Sequence, residues 1–68
     1  MNSIFKRWVK EEAFSRTDEF TSKMVLEKIV DKRGTSLYIG DAAAIGWYLS
    51  QLEGITKVKE GLYKVAIQ

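Results

Sequence analysis

Two residue types that carry most side-chain chemistry, cysteine and histidine, are missing from this 68-residue chain. Their absence removes thiol nucleophiles, disulfides, zinc-finger ligation and the usual imidazole general base. The carboxylates offer little in exchange. Glu11-Glu12 and Asp18-Glu19 are adjacent pairs, and neighbours on a regular element point to different sides, so neither makes an acid/base pair. The five glycines are scattered and form no phosphate-cradling loop. The expectation is a protein without catalysis, cofactor, metal or small-molecule substrate. What the sequence does offer is recognition chemistry in three places. Thr21, Ser22 and Lys23 stand at the head of an apolar-periodic run; Ala43, Trp47, Ser50 and Gln51 are spaced along a second; and Lys57, Lys59 and Lys64 are close together near the end.

The elements that must position these residues follow from spacing. Ala42, Ile45, Leu49 and Leu52 share one face of a 3.6-residue period, Asp41 suits the cap at its start, and Gly54 marks a stop. That helix should feed straight into a hairpin. Ile55 to Lys59 and Leu62 to Ile67 are rich in β-branched and aromatic residues and are separated by Glu60-Gly61, where glycine supplies the positive φ of a tight turn. Upstream, Ser3 to Phe14 reads as a helix with Ile4, Phe5, Trp8 and Val9 inward and Lys6, Arg7 and Lys10 outward, as a solvated face or as a phosphate contact. After a polar connection, Thr21-Ser22 opens a second helix. Phe20 and Val25 are spaced as a hydrophobic staple, Met24, Val25, Ile29 and Val30 form its inward stripe, and Gly34 ends it. Lys28, Lys32 and Arg33 are interleaved with Glu27 and Asp31, so much of their charge should be satisfied on that helix. Lys23 is different, since free N–H groups of a first turn also favour a phosphate. Thr35 to Gly40 is expected to cross as an extended strap.

Size and composition fit a single domain. Hydrophobic residues make up 46% and charged residues 29%, the balance of a folded chain rather than a disordered tail. A chain this short buries only about 60% of its unfolded surface, so the core must be compact. No apolar run approaches a membrane span, and MNSIFKRWVKEE turns acidic where a signal peptide needs an apolar stretch. The expectation is a cytoplasmic protein, complete from Met1, with no membrane partner. Eleven Lys and Arg against nine Asp and Glu leave a net charge of +2. That is permissive for nucleic acid without indicating it.

Helix, connection, capped helix, connection, helix and tight hairpin, in that order, resemble the winged helix-turn-helix family over nearly the whole chain. FTSKMVLEKIV looks like its second helix, AIGWYLSQLEGI its third and ITKVKEGLYKVAI its wing. The likeness also includes a Gly-x-x-Leu-x-x-Leu rhythm at Gly46, Leu49 and Leu52. It is similar to small regulators of archaea, phages and archaeal viruses. The resemblance implies an α+β fold of three helices with a C-terminal two-stranded β-hairpin wing, and a transcriptional regulator that binds double-stranded DNA. The third helix would lie in the major groove, with the wing and the second helix's N-terminus on phosphates. Carried onto this sequence, the DNA-binding set is Thr21, Ser22, Lys23, Ala43, Trp47, Ser50, Gln51, Lys57, Lys59 and Lys64. Gln51 and Ser50 would read base edges, and Ala43 or Ala44 would touch a thymine methyl. The third helix departs from the family's commoner pattern in having no Lys or Arg, so base specificity should be modest.

Alternatives remain open at two points. Trp47, projected away from the core, is either covered by the strap or wing, an anchor for a protein partner or second copy, or a nucleic-acid contact. A winged-helix protein-interaction module or dimerising adaptor is therefore the competing function. In the hairpin, a simple two-residue turn places Thr56 and Val58 on the face of Tyr63, Val65 and Ile67, and Lys57, Lys59 and Lys64 together on the other. Three lysines on one ribbon face suit phosphates. They equally suit an edge strand protected against aggregation.

Overall fold

The computed structural model describes residues 3–34 and 42–66. Over them the chain is an α+β domain of three helices and a three-stranded antiparallel sheet, in the order α1 (Ser3–Phe14), β1 (Phe20–Thr21), α2 (Ser22–Arg33), α3 (Ala42–Leu49), β2 (Ile55–Lys59) and β3 (Leu62–Val65). The strap at 35–40, the Asp41 cap and Ile67 lie outside the described residues.

The first helix has the expected bounds but a rotated inward face. Phe5, Val9 and Ala13 are fully buried with Glu12 beside them, while Ile4 is 48% exposed and Trp8 lies half-buried at the edge. The stripe drifts because i, i+4, i+8 spacing selects 5, 9 and 13, leaving residue 4 outside it.

The head of α2 follows its local chemistry closely. Thr21 is the N-cap: its hydroxyl accepts the Met24 N–H at 3.1 Å, and its own N–H donates to the Met24 sulfur at 3.4 Å. Phe20 and Val25, before and after the cap, are both fully buried, as a staple requires. Gly34 closes the helix in the left-handed region at φ 72°, its N–H donating to the Val30 carbonyl. Only Val25 and Ile29 of the expected stripe are buried. Met24 and Val30 are exposed, and the half-buried Leu26 takes up the packing instead.

The third helix is shorter than its spacing predicts. It ends at Leu49; Ser50 still donates four residues back, to Gly46, but Gln51 and Leu52 donate to carbonyls three residues back, at 3.0 and 3.2 Å. This tighter winding satisfies carbonyls at the helix end. Ile45 and Leu49 are buried in the common core with Phe5, Val9, Phe20, Val25, Ile29 and Tyr63, and Leu52 packs against it from the turn.

The sheet holds the main corrections. The expected two-stranded hairpin is joined by β1, which pairs with β3, giving the order β1-β3-β2. Glu60-Gly61 forms the two-residue turn as expected, with Lys59 opposite Leu62 and Gly61 at φ 79°. One step further the register shifts. Lys57, not Val58, stands opposite Tyr63, Thr56 opposite Lys64, and Ile55 opposite Val65. Val58 is the extra residue of a bulge, and one extra residue moves every side chain beyond it to the other face. Lys57 therefore shares the face of Tyr63, while Lys64 is on the opposite face with Thr56. The three lysines do not form one surface.

Candidate functional site

The bulge brings Lys57 to the side of the sheet on which α3 lies, and a groove forms there. Its walls are Ser22 at the start of α2, Ala42, Ala43, Gly46 and Trp47 of α3, Ser50 beyond it, and Lys57, Glu60, Gly61 and Tyr63 of the hairpin, enclosing about 390 Å³. Each wall has a local cause. Thr21 fixes the start of α2 and so places Ser22. The residues of α3 opposite Ile45 and Leu49 must face out when those two enter the core. The turn at Gly61 returns the chain so that Tyr63 reaches across to the helix.

The contact that holds hairpin and helix together is centred on Gly46. The Tyr63 hydroxyl donates to the Gly46 carbonyl at 3.2 Å, and that carbonyl also accepts the Ser50 N–H at 3.0 Å and the Ser50 hydroxyl at 2.9 Å. A β-carbon at position 46 would lie 3.1 Å from the Tyr63 hydroxyl and 3.6 Å from that of Ser22. Only a hydrogen allows so close an approach without displacement of the tyrosine. A glycine inside a helical run costs up to about 1 kcal/mol of helix propensity, and at Gly46 the close packing gives it a reason.

The electrostatics of the groove are restrained. Lys57 lies 3.2 and 3.3 Å from the two carboxylate oxygens of Glu60 at the hairpin tip. Both are solvent-accessible, so the pair is weak, yet a ligand phosphate must compete with Glu60 for that ammonium. No residue of α3 carries a charge. Trp47, 68% exposed, is its dominant surface feature, which removes the reading of the ring as core under the wing.

No protein-family model, curated protein or solved structure matches the chain.

Five of the ten expected contact residues, Ser22, Ala43, Trp47, Ser50 and Lys57, line this one groove. Thr21 is spent on the cap, and Lys23 is exposed beside Ser22. Gln51 is exposed in the turn after α3. Lys59 pairs with Leu62 on the face of Lys64, and Lys64 borders a separate hollow with Thr17, Asp18 and Glu19, whose carboxylates offset it. Ala42, Gly46, Glu60, Gly61 and Tyr63 complete the groove and were not expected in it. Tyr63 gave no separate signal, because an aromatic in a strand reads as core, whereas Gly46 inside a helix was a visible hint of close approach.

Four other cations are occupied elsewhere. Lys32 and Arg33 of α2 reach α1, not their own helix: Lys32 lies 3.0 Å from the buried Glu12, and Arg33 lies 3.6 Å from Glu11 and stacks over Trp8 at 4.5 Å. Arg16 completes the Glu12 cluster at 3.9 Å and donates to the Met24 carbonyl at 3.3 Å. Lys6 lies over the Tyr48 ring at 5.8 Å, so part of the outer α1 basic group supports the α1–α3 packing.

Proposed function

We propose that this domain is a winged helix-turn-helix that binds double-stranded DNA, as a small transcriptional regulator. The observation that carries the reading is the groove itself: the start of α2, the outward face of α3 and the hairpin converge on it, with Lys57 at its edge. The element order, with β1 between α1 and α2 and pairing with β3, supports the same fold reading. In this reading α3 enters the major groove. The N–H groups and Lys23 in the first turn of α2 take one phosphate, and Lys57, released from Glu60, takes another.

The test is a titration of a mixed-sequence duplex by fluorescence anisotropy at low and moderate salt, with amide chemical shifts mapping the surface. Binding that weakens with salt, with shifts at Ser22, Ala43, Trp47 and Lys57, is the expected result. Absence of binding at about 50 mM salt overturns the reading. One observation favours a second reading: an indole 68% exposed on an uncharged helix has the character of a protein-interface anchor. In that case shifts at Trp47 appear on self-association or with a protein partner, and not with a duplex.

A further inference from the structure

The polar groups of the groove are turned inward. The Ser50 hydroxyl donates to the Gly46 carbonyl at 2.9 Å and the Tyr63 hydroxyl to the same oxygen at 3.2 Å, while the Lys57 ammonium lies against Glu60 at 3.2 Å. A hydroxyl has a single proton, so neither Ser50 nor Tyr63 has a second one to offer a base edge. What α3 presents to a ligand is the indole of Trp47 with Ala42, Ala43 and Gly46 around it. Among the described residues, cations stand only at the margins, Lys57 on the hairpin and Lys23 beside Ser22, so the charge suits phosphates at the rim and the floor suits something apolar.

Base edges in the major groove are hydrogen-bonding groups with one exception, the C5-methyl of thymine. An apolar floor placed over the others removes their water without replacing its hydrogen bonds, which is unfavourable. Over a methyl it gains. We propose that this groove recognises pyrimidine C5-methyl groups of duplex DNA, through Trp47 and Ala43. The inference rests on the DNA-binding reading above and adds the chemical group recognised. It also assigns Trp47, which the composition of α3 alone left between three roles. Thymine and 5-methylcytosine present the same methyl at the same position, and thymine is the committed source.

The experiment compares one A·T-rich duplex with its counterpart in which every thymidine is replaced by deoxyuridine. Charge and pairing are unchanged, and only the methyls are removed. For the wild-type chain the deoxyuridine duplex should bind more weakly, by about fourfold for each methyl buried. Trp47→Ala, shown to be folded by its melting curve, should bind both duplexes with the same reduced affinity. Trp47→Phe should keep part of the discrimination. A G·C duplex carrying 5-methylcytosine should bind more tightly than the unmethylated one if the methyl suffices; equal binding restricts recognition to thymine in an A·T context. Equal affinity of the wild-type chain for thymine and deoxyuridine duplexes overturns the inference and leaves DNA binding standing. Absence of binding to every duplex overturns both.

Discussion

Trp47 separates folding from function at a single side chain. With 68% of its surface in solvent, truncation to alanine removes little packing. The thermal midpoint of Trp47→Ala should therefore match wild type to within the equivalent of about 0.5 kcal/mol, as checked by a melting curve. Phe5 or Phe20, fully buried, would behave oppositely, an alanine there costing about 3 to 5 kcal/mol. A second prediction concerns Glu60. Replacing it by glutamine frees Lys57 and removes a negative charge from the rim, so duplex affinity should rise by up to about fivefold, measured by anisotropy at low salt. No gain would mean that Lys57 does not meet a phosphate. Residue type and spacing, together with the resemblance to winged helices, indicated five of the groove residues. They could not indicate that Ser50 and Tyr63 direct their hydroxyls inward, because that depends on a carbonyl brought near by packing.

At the level of elements, what was legible is what local chemistry decides. The bounds of α1, the Thr21 cap, the Phe20–Val25 staple, the Gly34 stop and the Glu60-Gly61 turn each follow from residues adjacent in the chain. Thr21→Ala should cost about 1 kcal/mol, read as a shift in denaturant midpoint, since it leaves the Met24 N–H without its acceptor. What was not legible depends on partners distant in sequence. The two-residue strand β1 is too short for any periodicity and exists because β3 lies beside it. The α3 helix ends before Gly54 because its last carbonyls are taken by a tighter turn that no breaker residue announces. The bulge contains no glycine to mark it, and so the hairpin lysines were placed on one face. Tyr63→Phe tests the join between hairpin and helix: loss of the hydroxyl bond should cost about 1 kcal/mol, with amide shifts around Gly46.

For the whole molecule, the distribution of charge matters more than its net of +2. The carboxylates of α1 hold Lys32, Arg33 and Arg16 in place, so these cations brace α1 against α2. Glu12→Ala should lower stability by about 1 to 3 kcal/mol, because a buried acceptor of charged donors is lost. Lys32→Ala, on the more exposed partner, should cost less, within about 1 kcal/mol. For DNA, the groove leaves about two cations on the bound side, Lys23 and Lys57. The log–log dependence of affinity on salt should then have a slope of about −2, not the steeper value of a four-lysine surface. Lys64→Ala, on the far face of the sheet, should leave that slope unchanged. A slope nearer −4, or one that Lys64→Ala flattens, would place the duplex against the other face.

The bulge at Val58 also has a genetic consequence. Removing that one codon would restore plain alternation without changing a pair: Lys57 would stay opposite Tyr63, Thr56 opposite Lys64 and Ile55 opposite Val65, and the Glu60-Gly61 turn would keep its two residues. Ile55, Thr56 and Lys57 would keep both partner and face, and the groove would keep its lysine. Descendants of this gene could thus lose or regain a codon at this one place and keep both surfaces of the hairpin, whereas a codon lost at Thr56 would carry Ile55 to the other face.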